Sequence, residues 1–178
     1  MTTWRTRVIN DGNVESEPLK QVVLFSDSAC LGNPGPGGYC VILIYGTYRR
    51  ELSGGFRRTT NNRMELTASI KGLEALKERC AVRLVSDSEY LVNAIAKRWV
   101  FGWRSRGWQR KAGKVVPNAD LWDEVIKLIE FHDVSVEWIE GHAGHPENER
   151  CDLLARTAAS RGDLPPDLRY EQSGVPAE

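Results

Sequence analysis

Apolar and polar positions along the chain change period several times, and each change marks an element. Lys20 to Ala29 reads as a buried strand with apolar residues on both faces, Val22-Val23-Leu24-Phe25, closed by Asp27. Gly32-Asn33-Pro34-Gly35-Pro36-Gly37-Gly38 is expected to be a turn, since it can continue neither helix nor strand. Tyr39 to Tyr45 and Glu51 to Arg58 are two further β-runs, the second broken by Gly54-Gly55 as at a bulge. Tight connections make these three strands an antiparallel meander.

The period then lengthens. Leu66, Ile70, Leu73 and Leu76 predict an amphipathic helix from about Thr60 to Arg79. Val82 to Ser86 is a fourth strand, entered from that helix and therefore parallel to the first. A short helix is expected from Ser88 to about Lys97, and another begins near Pro117 with Leu121, Val125 and Leu128 on one face. Val134, Val136 and Trp138 alternate as a fifth strand, and Glu147 to Arg161 forms the last helix. The fold class is α/β: a five-stranded mixed sheet, three antiparallel strands followed by parallel ones, with helices on both faces. Residues 20–161 are the expected folded domain, 1–19 an extension, and 162–178, with three prolines, a flexible tail. The role of the extension is not fixed by its residues, although Trp4, Val8 and Ile9 could simply dock on the sheet.

Four acids sit where this pattern gives them little structural reason. Asp27 and Asp87 close the first and fourth strands, Glu65 lies at a helix start, and Asp152 opens another helix behind a Gly/His loop. Neighbouring first and fourth strands bring these groups to one sheet edge, where ligands of open α/β sheets collect. Carboxylates about 5 Å apart repel by roughly 3 kcal/mol per pair at an effective dielectric of about 20. Such a cluster must protonate or hold divalent cations on its oxygens. The rival account of Glu65 is a capping box with Asn62 three positions earlier.

Composition narrows the class. At 178 residues, 41% hydrophobic and 27% charged, the chain suits one globular domain with short appendages. Residues 1–20 hold no continuous apolar stretch, so no secretory signal is expected, and no run reaches membrane-spanning length; the expected setting is the cytoplasm, without membrane contact. Cys30, Cys40, Cys80 and Cys151 form no CxxC pair and read as reduced buried thiols. His142, His145 and Cys151 lack the fourth ligand of a structural zinc site.

The net charge of zero hides an asymmetry. Lys97 to Lys114 holds seven cations and no acid, leaving 17 cations against 24 acids elsewhere. Trp99, Phe101, Trp103 and Trp108 are interleaved with those cations. Such a segment fits a phosphate backbone, although Trp99 and Trp103, four apart, equally fit a helix face packed on the body. His142, between Gly141 and Gly144, has the loop freedom and the imidazole chemistry to move a proton. His145, before Pro146, reads as structural. Asn33, Thr60, Asn61 and Asn62 offer neutral hydrogen-bond groups beside a helix amino terminus, where turn formation and capping compete with phosphate binding.

Four stretches together closely resemble bacterial type 1 ribonuclease H: Asp27-Ser28-Ala29-Cys30-Leu31-Gly32-Asn33-Pro34-Gly35-Pro36-Gly37-Gly38, Thr59-Thr60-Asn61-Asn62-Arg63-Met64-Glu65-Leu66, Ser86-Asp87-Ser88, and Gly141-His142-Ala143-Gly144-His145-Pro146-Glu147-Asn148-Glu149-Arg150-Cys151-Asp152. The resemblance runs from about Lys20 to Arg161. It implies a ribonuclease H-like fold and an endonuclease that cuts the RNA strand of RNA–DNA hybrids, leaving 5′-phosphate and 3′-hydroxyl ends. It further implies two Mg²⁺ ions, replaceable by Mn²⁺: Asp27 and Asp152 would hold the ion at the attacking water. Asp27, Glu65 and Asp87 would hold the ion at the leaving oxygen. An auxiliary role falls to His142. Positions matching Asn33, Thr60 and Asn61 would grip a DNA phosphate, with Asn61 and Asn62 at the minor groove. Trp99, Trp103, Arg104, Arg106, Arg110 and Lys111 would form a basic protrusion along the DNA strand. Glu89 stands where relatives often have a substrate-contacting glutamine, and Ser28 where they usually have glycine against the RNA. The expected state is a monomer. Two rivals remain: a polynucleotidyl transferase sharing sheet and carboxylates, and a non-catalytic hybrid-binding module.

Overall fold

The computed structural model describes residues 17–110 and 113–173. The antiparallel meander is present as β1 (Lys20–Cys30), β2 (Gly35–Tyr45) and β3 (Tyr48–Thr59). There follow α1 (Asn61–Glu74), β4 (Cys80–Ser86), α2 (Glu89–Ala96), α3 (Trp99–Ser105) and α4 (Ala119–Phe131). The chain continues through β5 (Asp133–Trp138), α5 (Pro146–Ala159) and α6 (Leu168–Ser173). Sheet order is β3-β2-β1-β4-β5, with β1, β4 and β5 mutually parallel. The five-stranded mixed sheet expected from the residue pattern is the observed one.

Period-two alternation on β2 divides the interior. Val41 and Leu43 join Leu66, Ile70 and Leu73 of α1 and Trp122, Val125 and Ile126 of α4 in the main core. Cys40 and Ile42 face the other way, against Cys151 and Ala155 of α5. Helices therefore cover both faces. A Cβ at Gly38 would overlap the Ala155 carbonyl, so glycine is what lets α5 lie flat on the sheet.

Several boundaries differ from expectation. The glycine-rich turn is shorter than its composition suggests, because β2 already begins at Gly35 and pairs Gly37 with Cys30. Helix α1 stops at Glu74, five residues before Arg79. Its cap is Thr60, whose hydroxyl accepts from the Arg63 N–H at 3.4 Å, so no Asn62–Glu65 capping box forms. Trp99–Ser105 folds as a separate short helix.

The segment after Gly162 is the main correction. It is packed on the body as far as Ser173 rather than forming a flexible tail; residues 174–178 lie outside the described residues. The anchor is polar. Asp167, buried, accepts from the Thr59 hydroxyl at 2.9 Å and from Arg63 Nε at 2.8 Å. Asp120 of α4 holds the other side of the same guanidinium at 3.1 Å. Tyr170 is buried alongside, and Arg57 donates its backbone N–H to Pro165 O. Few apolar residues were available to signal docking, because a buried ion pair accomplishes it. Trp4, Val8 and Ile9, which could dock on the sheet, lie outside the described residues. Among the described residues no helix is long and apolar enough to cross a membrane.

Candidate active site

Parallel pairing of β1 with β4 aligns Phe25 with Val85, so two residues further along each strand come Asp27 and Asp87. Helix α1 crosses this edge and brings Glu65 down from its second turn. Asp27, Glu65 and Asp87 each place a carboxylate oxygen within 4.8 Å of the other two. Asp27 and Glu65 are both only 5% exposed.

That burial has an electrostatic consequence. The Asp27 carboxyl is pushed up to about 7, first by burial and then by Asp87, against the Ser28 N–H that donates to it at 2.7 Å. Glu65 is pushed up to about 8, again chiefly by burial, with Asp27 and Asp87 adding to the rise and the Ser28 hydroxyl opposing it. Among the described residues, Glu65 Oε2 is buried without any hydrogen-bond partner. A buried acceptor beside two further carboxylates is a donor set made for a hard cation, since the ion supplies the missing partner and offsets the repulsion.

Asp152 lines the same cleft but stands apart from the three-acid cluster. On α5 its Oδ1 accepts from Arg156 Nε at 2.9 Å, one helical turn on. The four acids expected to converge are thus three gathered groups and a fourth on the wall.

Two further residues join the site through contacts that the chain pattern did not signal directly. Asn148, 2% exposed and four positions before Asp152, donates its side-chain amide to Asp87 Oδ2 at 3.4 Å. The i, i+4 spacing from Asp152 was the available signal, because it places both on one face of α5. Trp138, at the end of β5, donates its indole N–H to the Asp87 carbonyl at 3.0 Å. Gly141 packs so close that a Cβ would stand 2.6 Å from Asp87 Oδ2, so a side chain there would push the Asp87 carboxylate out of its position.

Other expected contacts divide. Ser28, Asn61, Asn62, Glu89 and His142 all line the cleft. His142 adopts a left-handed backbone, φ 56°, unusual for a residue with a side chain. Asn33 Oδ1 accepts from the Asn61 N–H at 3.1 Å and so shapes the loop beneath. Thr60 is buried with its hydroxyl engaged in capping.

None of the described residues of the basic segment lines the cleft. Trp103 packs edge-on against Trp122, ring centroids 6.1 Å apart, which is the packing role. Arg104 pairs with Glu130 at 2.9 Å and with Asp123 at 3.6 Å. Trp99 is 47% exposed, with the Lys97 ammonium 4.9 Å from its ring. The Arg110 guanidinium lies 6.0 Å from the Trp103 ring. Lys111 is outside the described residues.

Comparison with known proteins agrees with this geometry. The RNase H family profile matches residues 19–160. "Ribonuclease H" of Syntrophus aciditrophicus is 56% identical over 154 residues, covering 86% of this chain and 89% of that protein. "Ribonuclease H" of Desulforamulus reducens is 57% identical over 151 residues, covering 85% and 95%. The crystal structure of LC9-RNase H1, a type 1 RNase H with the type 2 active-site motif, superposes with a TM-score of 0.72 at 36% identity. That match covers 82% of this chain and 74% of the other. With the profile spanning most of the chain and the acids gathered at the edge where β1 meets β4, this protein belongs to the ribonuclease H family.

Proposed function

We propose that the chain is an endonuclease that hydrolyses the RNA strand of RNA–DNA hybrids, leaving 5′-phosphate and 3′-hydroxyl ends. The observation that carries this reading is the Asp27–Glu65–Asp87 cluster, with Asp27 and Glu65 buried and Glu65 Oε2 unpartnered among the described residues, opening into a cleft. Relatives more than half identical that bear the name ribonuclease H support the reaction class.

Asp27, Glu65 and Asp87 would hold one Mg²⁺, and Asp27 with Asp152 a second, with Mn²⁺ able to substitute. Bound there, the ions would supply charge neutralisation on the entering and leaving oxygens of an in-line displacement. The chain's own residues do the rest. Asn61 and Asn62 offer neutral hydrogen-bond groups to the substrate backbone, with Asn33 and Thr60 shaping the loop and helix cap that present them. Ser28 and Glu89 face the same space from β1 and α2. His142, on its glycine-flanked loop, lines the same cleft and would take up or return a proton there. Trp99, Arg106, Arg110 and Lys111 would track the DNA strand through phosphate contacts without reading sequence. Trp103 and Arg104 support that surface by packing and pairing.

One chain carries every carboxylate of the site, which supports action as a monomer. All four cysteines are free thiols, which supports a reducing, cytoplasmic setting. The test compares matched RNA–DNA hybrid, duplex RNA and single-stranded RNA, with and without Mg²⁺, and analyses the product ends. Cleavage confined to the hybrid's RNA strand and dependent on Mg²⁺ is expected. Cleavage without divalent ions, or strand-transfer products from labelled DNA, would overturn the reading.

A further inference from the structure

Ser28 follows Asp27 on β1, and its side chain is turned to Glu65 rather than to solvent. Its Oγ lies 2.7 Å from Glu65 Oε1 and 3.3 Å from Asn61 Oδ1. A serine hydroxyl has one proton to donate. The contact to Glu65 is the shorter by 0.6 Å and takes it, and with a cation holding Glu65 ionised the charged acceptor makes the stronger bond. One of the two lone pairs of Glu65 Oε1 is thereby held by a fixed donor, which weakens that oxygen as a ligand. Glu65 Oε2 is the buried oxygen with no partner among the described residues. The two oxygens of this carboxylate are not equivalent: one is tied to the protein, the other is left to ligate.

This asymmetry matters for which cation the site prefers. Mg²⁺ and Mn²⁺ are small and octahedral, taking one oxygen from each carboxylate plus water. Ca²⁺ is larger, takes six to eight oxygens, and readily accepts both oxygens of a single carboxylate. We propose that Ser28 is a positioning residue that holds Glu65 to single-oxygen ligation and so biases the site toward small octahedral cations over Ca²⁺. The inference rests on the metal reading of the cluster given above. Ser28 would touch neither ion nor scissile bond; it acts through Glu65.

The experiment uses the full chain without nucleic acid. Mn²⁺ binding is followed by electron paramagnetic resonance, and Mg²⁺ and Ca²⁺ are titrated as competitors. Wild type, Ser28→Ala, Ser28→Thr and Asp87→Asn are compared, with thermal unfolding confirming that each is folded. In Ser28→Ala the Ca²⁺-to-Mg²⁺ competition ratio is expected to shift toward Ca²⁺ by about tenfold, the scale of one hydrogen bond to a charged group. Ser28→Thr, which keeps the hydroxyl, is expected to retain the wild-type ratio. A shift common to both variants would reflect packing and overturn the proposal, as would an unchanged ratio in Ser28→Ala. If wild type binds no Mn²⁺ that Asp87→Asn removes, the metal reading itself fails, and this proposal with it. Mn²⁺ bound normally with an unmoved ratio is the separate outcome that defeats Ser28 alone.

Discussion

Asn148 on α5 donates its side-chain amide to Asp87 Oδ2 at 3.4 Å, while its own Oδ1 is buried without a partner among the described residues. The bond ties the helix that carries Asp152 to the strand end that carries Asp87, across the parallel half of the sheet. Asn148 therefore helps set how far Asp152 stands from the three-acid cluster. Removing the amide takes away a hydrogen bond to a charged group, about 1.5–3 kcal/mol. In Asn148→Ala, kcat is expected to fall roughly ten- to a hundredfold if that energy is expressed in the transition state. KM for hybrid should be unchanged, because Asn148 is buried beneath the substrate surface. A rise in KM with constant kcat would refute this placement. Steady-state kinetics on a labelled hybrid separate the two.

Asp27→Asn and Asp87→Asn are expected to abolish cleavage while leaving hybrid binding measurable. Each removes a carboxylate from the cluster without changing its shape. Binding is followed by fluorescence anisotropy in Mg²⁺, and turnover by gel. Unchanged turnover in either variant would dispose of the metal assignment.

The raised carboxyls give the ion-free protein a particular pH dependence. Asp27, at about 7, and Glu65, at about 8, keep their protons in the folded state well above the unfolded values near 4. Between those limits the native state binds more protons than the unfolded chain, so this cluster lowers stability as pH rises from about 4 to about 8. Thermal melts in chelator should show that loss. Mg²⁺ should restore stability most at the alkaline end, and Glu65→Gln should flatten the chelator profile. A profile rising through this window in chelator, and identical in Glu65→Gln, would contradict the burial argument.

The basic segment is expected to act through fewer residues than its seven cations suggest. Arg104 is already paired with Glu130 and Asp123. Arg106→Gln with Arg110→Gln should weaken hybrid binding and lower the log K versus log salt slope by about one for each phosphate no longer neutralised. Arg104→Gln should leave the slope unchanged. An equal effect from Arg104→Gln would mean that its ion pairs yield to phosphate.

The C-terminal segment should prove structural. Asp167→Ala leaves the buried Arg63 guanidinium with Asp120 alone, and removing one partner of a buried pair costs at most about 3–5 kcal/mol. Denaturant unfolding measures the loss. A value within about 0.5 kcal/mol of wild type, the range of ordinary surface substitutions, would mean that the segment is dispensable.

Local pattern was enough to read much of this molecule. The period-two run in β2, the 3.6 period of α1 and the crossover into β4 pointed to the sheet, to its meander and to β1 beside β4. They follow from which faces must be buried, and burial is written residue by residue. Asp27 and Asp87 were legible because a charge closing an apolar strand has few uses. The misread parts share another cause. The segment after Gly162 looked flexible because its anchor is a carboxylate, Asp167, whose partner Arg63 is 104 positions away. Trp103 and Arg104 belonged to one basic stretch until packing against Trp122 and pairing with Glu130 separated them from the cations around them.

Fold class, family resemblance and the identity of the four acids were all written in the chain, because periodicity and residue type are local properties. Which carboxylates meet is a property of the folded molecule alone. Folding placed Asp27, Glu65 and Asp87 within 4.8 Å and left Asp152 on the wall beside Arg156. It also made Ser28 a partner of Glu65 and Asn148 a partner of Asp87. The reason is physical: carboxylate spacing, desolvation and an unpartnered oxygen depend on distances between separate elements, and neither composition nor period encodes those.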